Sequence, residues 1–212
     1  MRSGDIVTSN AFPEELSVPV LPIRNSVVFP VPIDTPLRVI RKNLRSTMDV
    51  VKDSERRWFV ALAQRDPKLE NPGPADLYSV GSLMCMMDCT TTVGQHDVEM
   101  FGLSRVKVTE WLHRSGVMVA KVRLIPALGV NRPVLMSTLR AAALNHLGDI
   151  SEEFTELVEE CGNLGMLSDL VATNLPSPVE IRQSVLEIEE PELRARVLLR
   201  LLGGHLEPEV SH

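Results

Sequence analysis

The chain has 212 residues, 44% hydrophobic and 24% charged, with a net charge of −6. That length and balance support a sizeable core and exclude a wholly disordered chain, and no apolar run approaches the ~18–20 residues needed to span a bilayer. Basic and acidic residues number 17 and 14 over positions 1–133 but 5 and 14 over positions 134–212, so the second part is ill suited to phosphate backbones or anionic membrane.

Residues 1–16 read as a flexible start. From Val18 to Arg24, and again from Val27 to Pro30, prolines interrupt β-branched and aromatic runs. Such pieces cannot donate throughout a ladder and suit the short, bent strands of a closed or nearly closed barrel. Asn43 is placed to cap one helix, whose Leu44, Met48 and Val51 fall at i, i+4 and i+7. Trp58 to Ala63 reads as a strand buried on both faces. Asp66 to Pro74, with three prolines and a glycine, is a loop. Tyr78 to Met87 is a further strand, with Gly81 as a bulge or point of close approach. Thr90 to Asp97 turns around Gly94, and Leu103–Leu112 and Val117–Ile125 flank a hairpin signal at His113-Arg-Ser-Gly116. In the last strand Met118, Ala120, Val122 and Leu124 share one face and Lys121 and Arg123 the other.

After Pro126 the period becomes 3.6. Leu135, Leu139, Ala142 and Ala143 mark a helix ending near Gly148; Phe154, Leu157, Val158 and Cys161 mark a second, with Glu152 and Glu153 at its positive end. Leu167, Leu170 and Val171 give a third, stopped by Pro176-Ser-Pro178. Val179 to Leu186 gives a fourth, and Leu193, Val197 and Leu201 a fifth, ended by Gly203-Gly204. The expected organisation is α+β: a flexible N-terminus over 1–16, a β-barrel subdomain over 17–125, a linker over 126–133, a small helical bundle over 134–203 and a tail over 204–212. The start lacks the hydrophobic core of a secretory signal, and three cysteines are too few for a disulfide framework. A cytoplasmic location is expected.

Motifs for chemistry are sparse. None of the five lysines follows a phosphate-binding glycine pattern, and Gly-x-Ser-x-Gly is absent, leaving Ser104 near Gly102 as a loop entering a strand. Cys85 and Cys89 fall with Met87 on one face of a regular strand, but a zinc site needs a second ligand pair. Only His96, His113 and Cys161 are at hand, so the thiols read as small packed hydrophobes. All five histidines (His96, His113, His146, His205 and His212) read as surface residues. The glutamate pairs at 152–153, 159–160 and 189–190 read as solvated helix faces. No catalytic residue, metal or cofactor is assigned.

Six short pieces together carry a family resemblance. They are Pro19-Val-Leu-Pro-Ile-Arg24, Val27-Val-Phe-Pro30, Pro36-Leu37, Asp76-Leu-Tyr-Ser-Val-Gly81, Gly102-Leu-Ser-Arg-Val106, and Gln183-Ser-Val-Leu-Glu187 with Glu192-Leu193 and Leu198-Leu199. Their order and spacing resemble the N-terminal, substrate-binding LON domain of Lon-type ATP-dependent proteases. The resemblance implies a PUA-like β barrel with one packed helix, followed by a helical subdomain. It also implies selection of polypeptide substrates and support of subunit assembly, without catalysis in this segment. The chain departs from the family at Val31-Pro-Ile-Asp-Thr35, where a shorter, often Gly/Met-containing connection is usual. At the other end, Leu206-Glu-Pro-Glu-Val-Ser-His212 reads as a spent tail, which favours a free-standing LON-domain protein, with an excised piece as the alternative.

The expected binding surface is the proline-stiffened, apolar connection Phe29, Pro30, Val31, Pro32 and Ile33, rimming a shallow groove with Met84, Met86 and Met87. Methionine adapts to varied apolar segments. The expected partners are unfolded or degron-bearing polypeptides, an ATPase-protease subunit and a weakly held second copy, with no membrane. RNA binding is the competing class, on Arg38, Arg41, Lys42, Arg45, Lys52, Arg56 and Arg57. These are mixed with Asp49, Asp53 and Glu55 and have little aromatic interleaving, so a solvated helix face accounts for them better. A pure oligomerisation module is the third class.

Overall fold

The computed structural model describes residues 15–114, 116–126, 132–147 and 150–203. Among them the chain order is β1 (Glu15–Ile23), β2 (Thr35–Val39), α1 (Lys42–Asp53), β3 (Trp58–Ala63), β4 (Val80–Thr92), β5 (Gln95–Arg114) and β6 (Val117–Ile125). Five helices follow: α2 (Pro133–Leu147), α3 (Glu152–Glu160), α4 (Leu164–Thr173), α5 (Val179–Glu187) and α6 (Pro191–Leu201). Most of the linker expected over 126–133, the tail over 204–212, residues 1–14, Ser115 of the hairpin signal and Gly148 lie outside the described residues.

The strands form one mixed sheet in the order β2-β5-β4-β3-β1-β6, and β5 also pairs with β6. The five strands other than β2 therefore close into a ring, while among the described residues β2 has β5 as its single strand neighbour and leaves its other edge unpaired. β1 pairs antiparallel with β6 through Glu15–Pro19 and then parallel with β3 through Val20–Ile23. Pro19 thus sits where the strand changes partners, and its missing donor costs little there, while Pro22 lies opposite Leu62 within the stretch paired with β3. One face of the sheet packs Val20, Val60, Leu83, Val106 and Val122 together. Another apolar cluster takes Leu21, Phe59, Met84, Met86 and Met100 beneath Leu44, Met48 and Val51 of α1. The sequence periodicity places those three residues on the helix's inner face.

Two local departures from strict alternation matter. Met86 pairs with Met100 and Asp88 with Glu99, so Met87 is an extra, bulged residue. The bulge turns Met87 out to 50% exposure and returns Cys89 to the buried face of Met84 and Met86. Cys85, Met87 and Cys89 therefore do not share a face, contrary to the regular-strand expectation. The second departure is at Gly81, where an added Cβ would lie 2.3 Å from the Ala61 carbonyl oxygen. Close approach of neighbouring backbone is what this glycine permits.

Val27–Pro30 forms no strand. It is an irregular strap held between sheet and helices. Ser82 Oγ donates to Val28 O at 2.7 Å, Gly102 N donates to Val31 O at 2.8 Å, and Arg182 Nη2 of α5 donates to Val27 O at 3.0 Å. A Cβ at Gly102 would meet Pro30 Cα and Val31 N at 2.5 Å, so the strap lies against bare backbone there. Val27, Phe29 and Val31 join Ala63, Val80 and Ile125 of the sheet in one core with the buried faces of α2–α6.

Helix α4 is buried along most of its length and touches α2, α3, α5 and α6. Asn163 caps it by accepting from Met166 N at 3.0 Å, and Ser151 caps α3 in the same way. Asp169 of α4 sits between two buried guanidiniums: Arg105 Nη2 of β5 at 2.7 Å and Arg194 Nε of α6 at 3.1 Å. The Arg194 Nε–H makes no aligned hydrogen bond, so its attraction to Asp169 is coulombic. Arg105 also donates to Leu186 O and Arg194 to Ile188 O, each at 2.6 Å. With Arg194 filling the interior, the buried face of α6 is Arg194, Ala195, Leu198 and Leu199. Of the periodic stripe Leu193, Val197 and Leu201, the two leucines lie outside, 50% and 41% exposed, and Val197 packs partly buried against the core.

Candidate functional site

The expected binding residues do not form one surface. Phe29, Val31, Met84 and Met86 are each at most 2% exposed, which removes them from any rim. Phe29 and Val31 pack with the helices, with Ile33 half-buried against the same cluster, whereas Met84 and Met86 lie under α1. Pro30 is half-buried, Pro32 is exposed, and Met87 is exposed on its bulge. The correction has a physical cause: Gly102 and Arg182, both distant in sequence, draw the middle of the connection inward.

The two ends of that connection do line a groove. Val28 on one side and Thr35, Pro36 and Leu37 on the other bound a cavity of about 390 Å³ between the end of β1 and the free side of β2. Its floor is the core beneath α1, supplied by Leu21, Ile23, Val39 and Met100. Ile40 stands at the edge, 63% exposed. Arg24, Arg38 and Arg41 also line it, with no acidic residue among the lining.

The basic residues near α1 divide into different roles. Arg38 pairs with Asp97 at 2.9 Å. Arg41 turns inward, its Nη2 donating to Pro22 O at 3.1 Å and Gln64 Oε1 at 3.0 Å, and its Nη1 to Glu70 O at 3.1 Å. Arg24 Nη2 donates to Leu69 O at 2.9 Å, and buried Gln64 donates to Leu69 O at 3.1 Å. Together these bonds pin the 66–73 loop beside the groove. Burial pulls the Arg41 pKa below its ordinary value, the charge of Arg24 adds to the effect, and Glu70 opposes it. Asn43 does not cap α1. The N-cap is Arg41, with no side-chain cap bond, and Asn43 Nδ2 reaches Asn71 Oδ1 at 3.2 Å.

His96 is also not a surface residue. It is 4% exposed, and its Nε2 lies 3.0 Å from Asp49 Oδ1, tying β5 to α1. Burial raises the pKa values of the Cys85, Cys89 and Cys161 thiols. Among the described residues no group of three His, Cys, Asp or Glu could hold a metal ion, and no helix is long and apolar enough to cross a membrane. The groove was invisible in sequence because β1 and β2 are not ladder partners. The faint signal available was the cluster of cations Arg24, Arg38 and Arg41 among apolar residues.

The fold and sequence have clear relatives. The N-terminal domain of the Mycobacterium avium complex Lon protease superimposes with a TM-score of 0.72 at 20% identity, covering 90% of this chain and all of that one. A Lon N-terminal domain protein from Xanthomonas campestris gives 0.61 at 20% identity. In sequence, Lon protease of Anaeromyxobacter dehalogenans is 32% identical over 88% of this chain, and Lon protease 2 of Myxococcus xanthus is 30% identical over 96%. The chain spans about a quarter of the length of these curated relatives, 23% and 25%. Residues 17–203 match the model of the ATP-dependent protease La (LON) substrate-binding domain, and the chain belongs to that family.

Proposed function

We propose that this chain is a non-catalytic polypeptide-recognition domain that takes extended, apolar segments of unfolded or degron-bearing proteins in the β2 groove and works with an ATPase-protease subunit. The observation that carries the reading is the groove: a concave apolar floor beside a free strand edge, in a chain of a substrate-binding family. A free edge offers backbone groups to an incoming strand, and the floor offers pockets for alternate side chains. On this reading the strand ring is a PUA-like barrel over 17–125 and the helices are a bundle over 134–203, joined across 126–133, in a cytoplasmic protein. Amide chemical-shift mapping with an unfolded model peptide tests it. Saturable shifts are expected at residues 21–28 and 35–44; saturating binding that leaves those positions unmoved rules the groove out.

A further inference from the structure

The geometry points to a specific substrate class for this groove: apolar segments flanked by aspartate or glutamate, with the flanking carboxylates seated among Arg24, Arg41 and Lys42 at the start of α1. This inference rests on the polypeptide-recognition reading above. A second cavity, of about 600 Å³, opens there, and Arg24 and Arg41 line both it and the groove, so the two adjoin. The mouth holds three cations against one carboxylate, Glu70. Among the described residues, the hydrogen bonds of Arg24 and Arg41 go to carbonyl and amide oxygens and none goes to a carboxylate.

Two further features reinforce the same preference. Burial is the main cause of the lowered Arg41 pKa and the charge of Arg24 adds to it, a repulsion that an incoming carboxylate relieves. The first turn of α1 carries no acidic residue and no capping side chain, so its amide dipoles add to the positive field at the mouth. Elsewhere on β2, a hollow of about 300 Å³ that shares Pro36, Leu37 and Arg38 with the groove presents Asp88, Asp97 and Glu99 against the single cation Arg38, itself paired with Asp97. An acidic peptide is repelled from that hollow and attracted to the mouth. Charge complementarity therefore selects both the occupant and the side of β2 it uses.

The test uses the full chain and fluorescence anisotropy with seven-residue apolar peptides ending in Asp-Asp, Asn-Asn or Lys-Lys. The Asp-Asp peptide should bind about five- to tenfold tighter than the Asn-Asn peptide at low salt, as expected for two exposed ion pairs. The gap should close at ~0.5 M salt, where the Debye length is only a few ångströms. The double variant R24E/K42E, at two exposed positions, should prefer the Lys-Lys peptide. R24Q/K42Q should bind all three alike, and thermal melts verify that each variant is folded. Equal wild-type affinity for the three peptides overturns the inference and leaves the recognition reading standing. Failure of the wild type to bind any of them sinks that reading, and this inference with it. Concentration-dependent dimerisation abolished by Ile40→Glu makes a second copy the occupant and likewise overturns it.

Discussion

Replacing Asp169 with alanine removes the anion shared by two buried cations. The side chains of Arg105, Asp169 and Arg194 are 5%, 8% and 2% exposed, so water cannot take the place of the lost carboxylate. Burial already presses the Arg194 pKa down to about 10, with Asp169 opposing the shift and Arg105 adding to it. Breaking a buried pair by deleting one partner costs about 3–5 kcal/mol. Two guanidiniums lose their partner here, which favours the upper end, while their bonds to Leu186 O and Ile188 O limit the loss. For a chain of this size about 4 kcal/mol corresponds to a fall in Tm of roughly 8–16 °C. Urea melts of wild type and D169A, with D169N as the isosteric control, measure it. Arg194→Met leaves the Arg105–Asp169 pair intact and removes the more burdened cation, so it should cost less than D169A. A D169A loss below ~1 kcal/mol, or an R194M loss exceeding it, would refute the reasoning.

Phe29→Ala should cost about 3–4 kcal/mol, because the ring is 1% exposed in the core shared with the helices. Its affinity for a groove peptide, corrected for the folded fraction, should be unchanged, and a selective loss of affinity would restore Phe29 to the binding surface. Gly102→Ala drives a methyl into the Pro30 and Val31 backbone and should cost about 2–3 kcal/mol in a denaturant melt; a neutral result would mean the strap can shift away. Hydrogen bonds from Arg132 and Arg196 hold Glu192 below the usual carboxylate range. Its folded pKa is depressed, so its stabilisation is present above the unfolded value and is lost as pH falls through the folded one. Between pH 5 and 3 the wild type should therefore lose more stability than E192Q, and parallel losses would contradict the pairing.

Much of the helical part was legible because each helix carries its own 3.6-residue pattern and local stop signals, as Leu135, Leu139 and Ala143 in α2 illustrate. The inward face of α6 was not, because Arg194 takes an interior place that a hydrophobic pattern assigns to Leu193 or Leu201. In β4 the single bulge at Met87 reverses which residues face inward after it, and a period of two carries no mark of an inserted residue. The strap was misread for a different reason. Its apolar, proline-rich sequence suits an exposed rim as well as an interior filler, and residues 71 to 155 positions away in Gly102 and Arg182 decide between them. His96 looked like a surface residue until α1 placed Asp49 beside it. The groove's openness on one side depends on β2 having no second strand partner among the described residues, which no local pattern announces.

The strap has a consequence for how the molecule comes apart. Val27, Phe29 and Val31 belong by connectivity to the strands, yet they are solvated only when the helices leave. Peeling α2–α6 away would strip water-excluding cover from Ala63, Val80 and Ile125 at the same moment and release the Arg182 bond to Val27. Partial opening along that seam has no stable stopping point, so strands and helices should form a single foldon. In native-state hydrogen exchange, the amides of β3 and α4 should share one opening free energy and respond alike to denaturant.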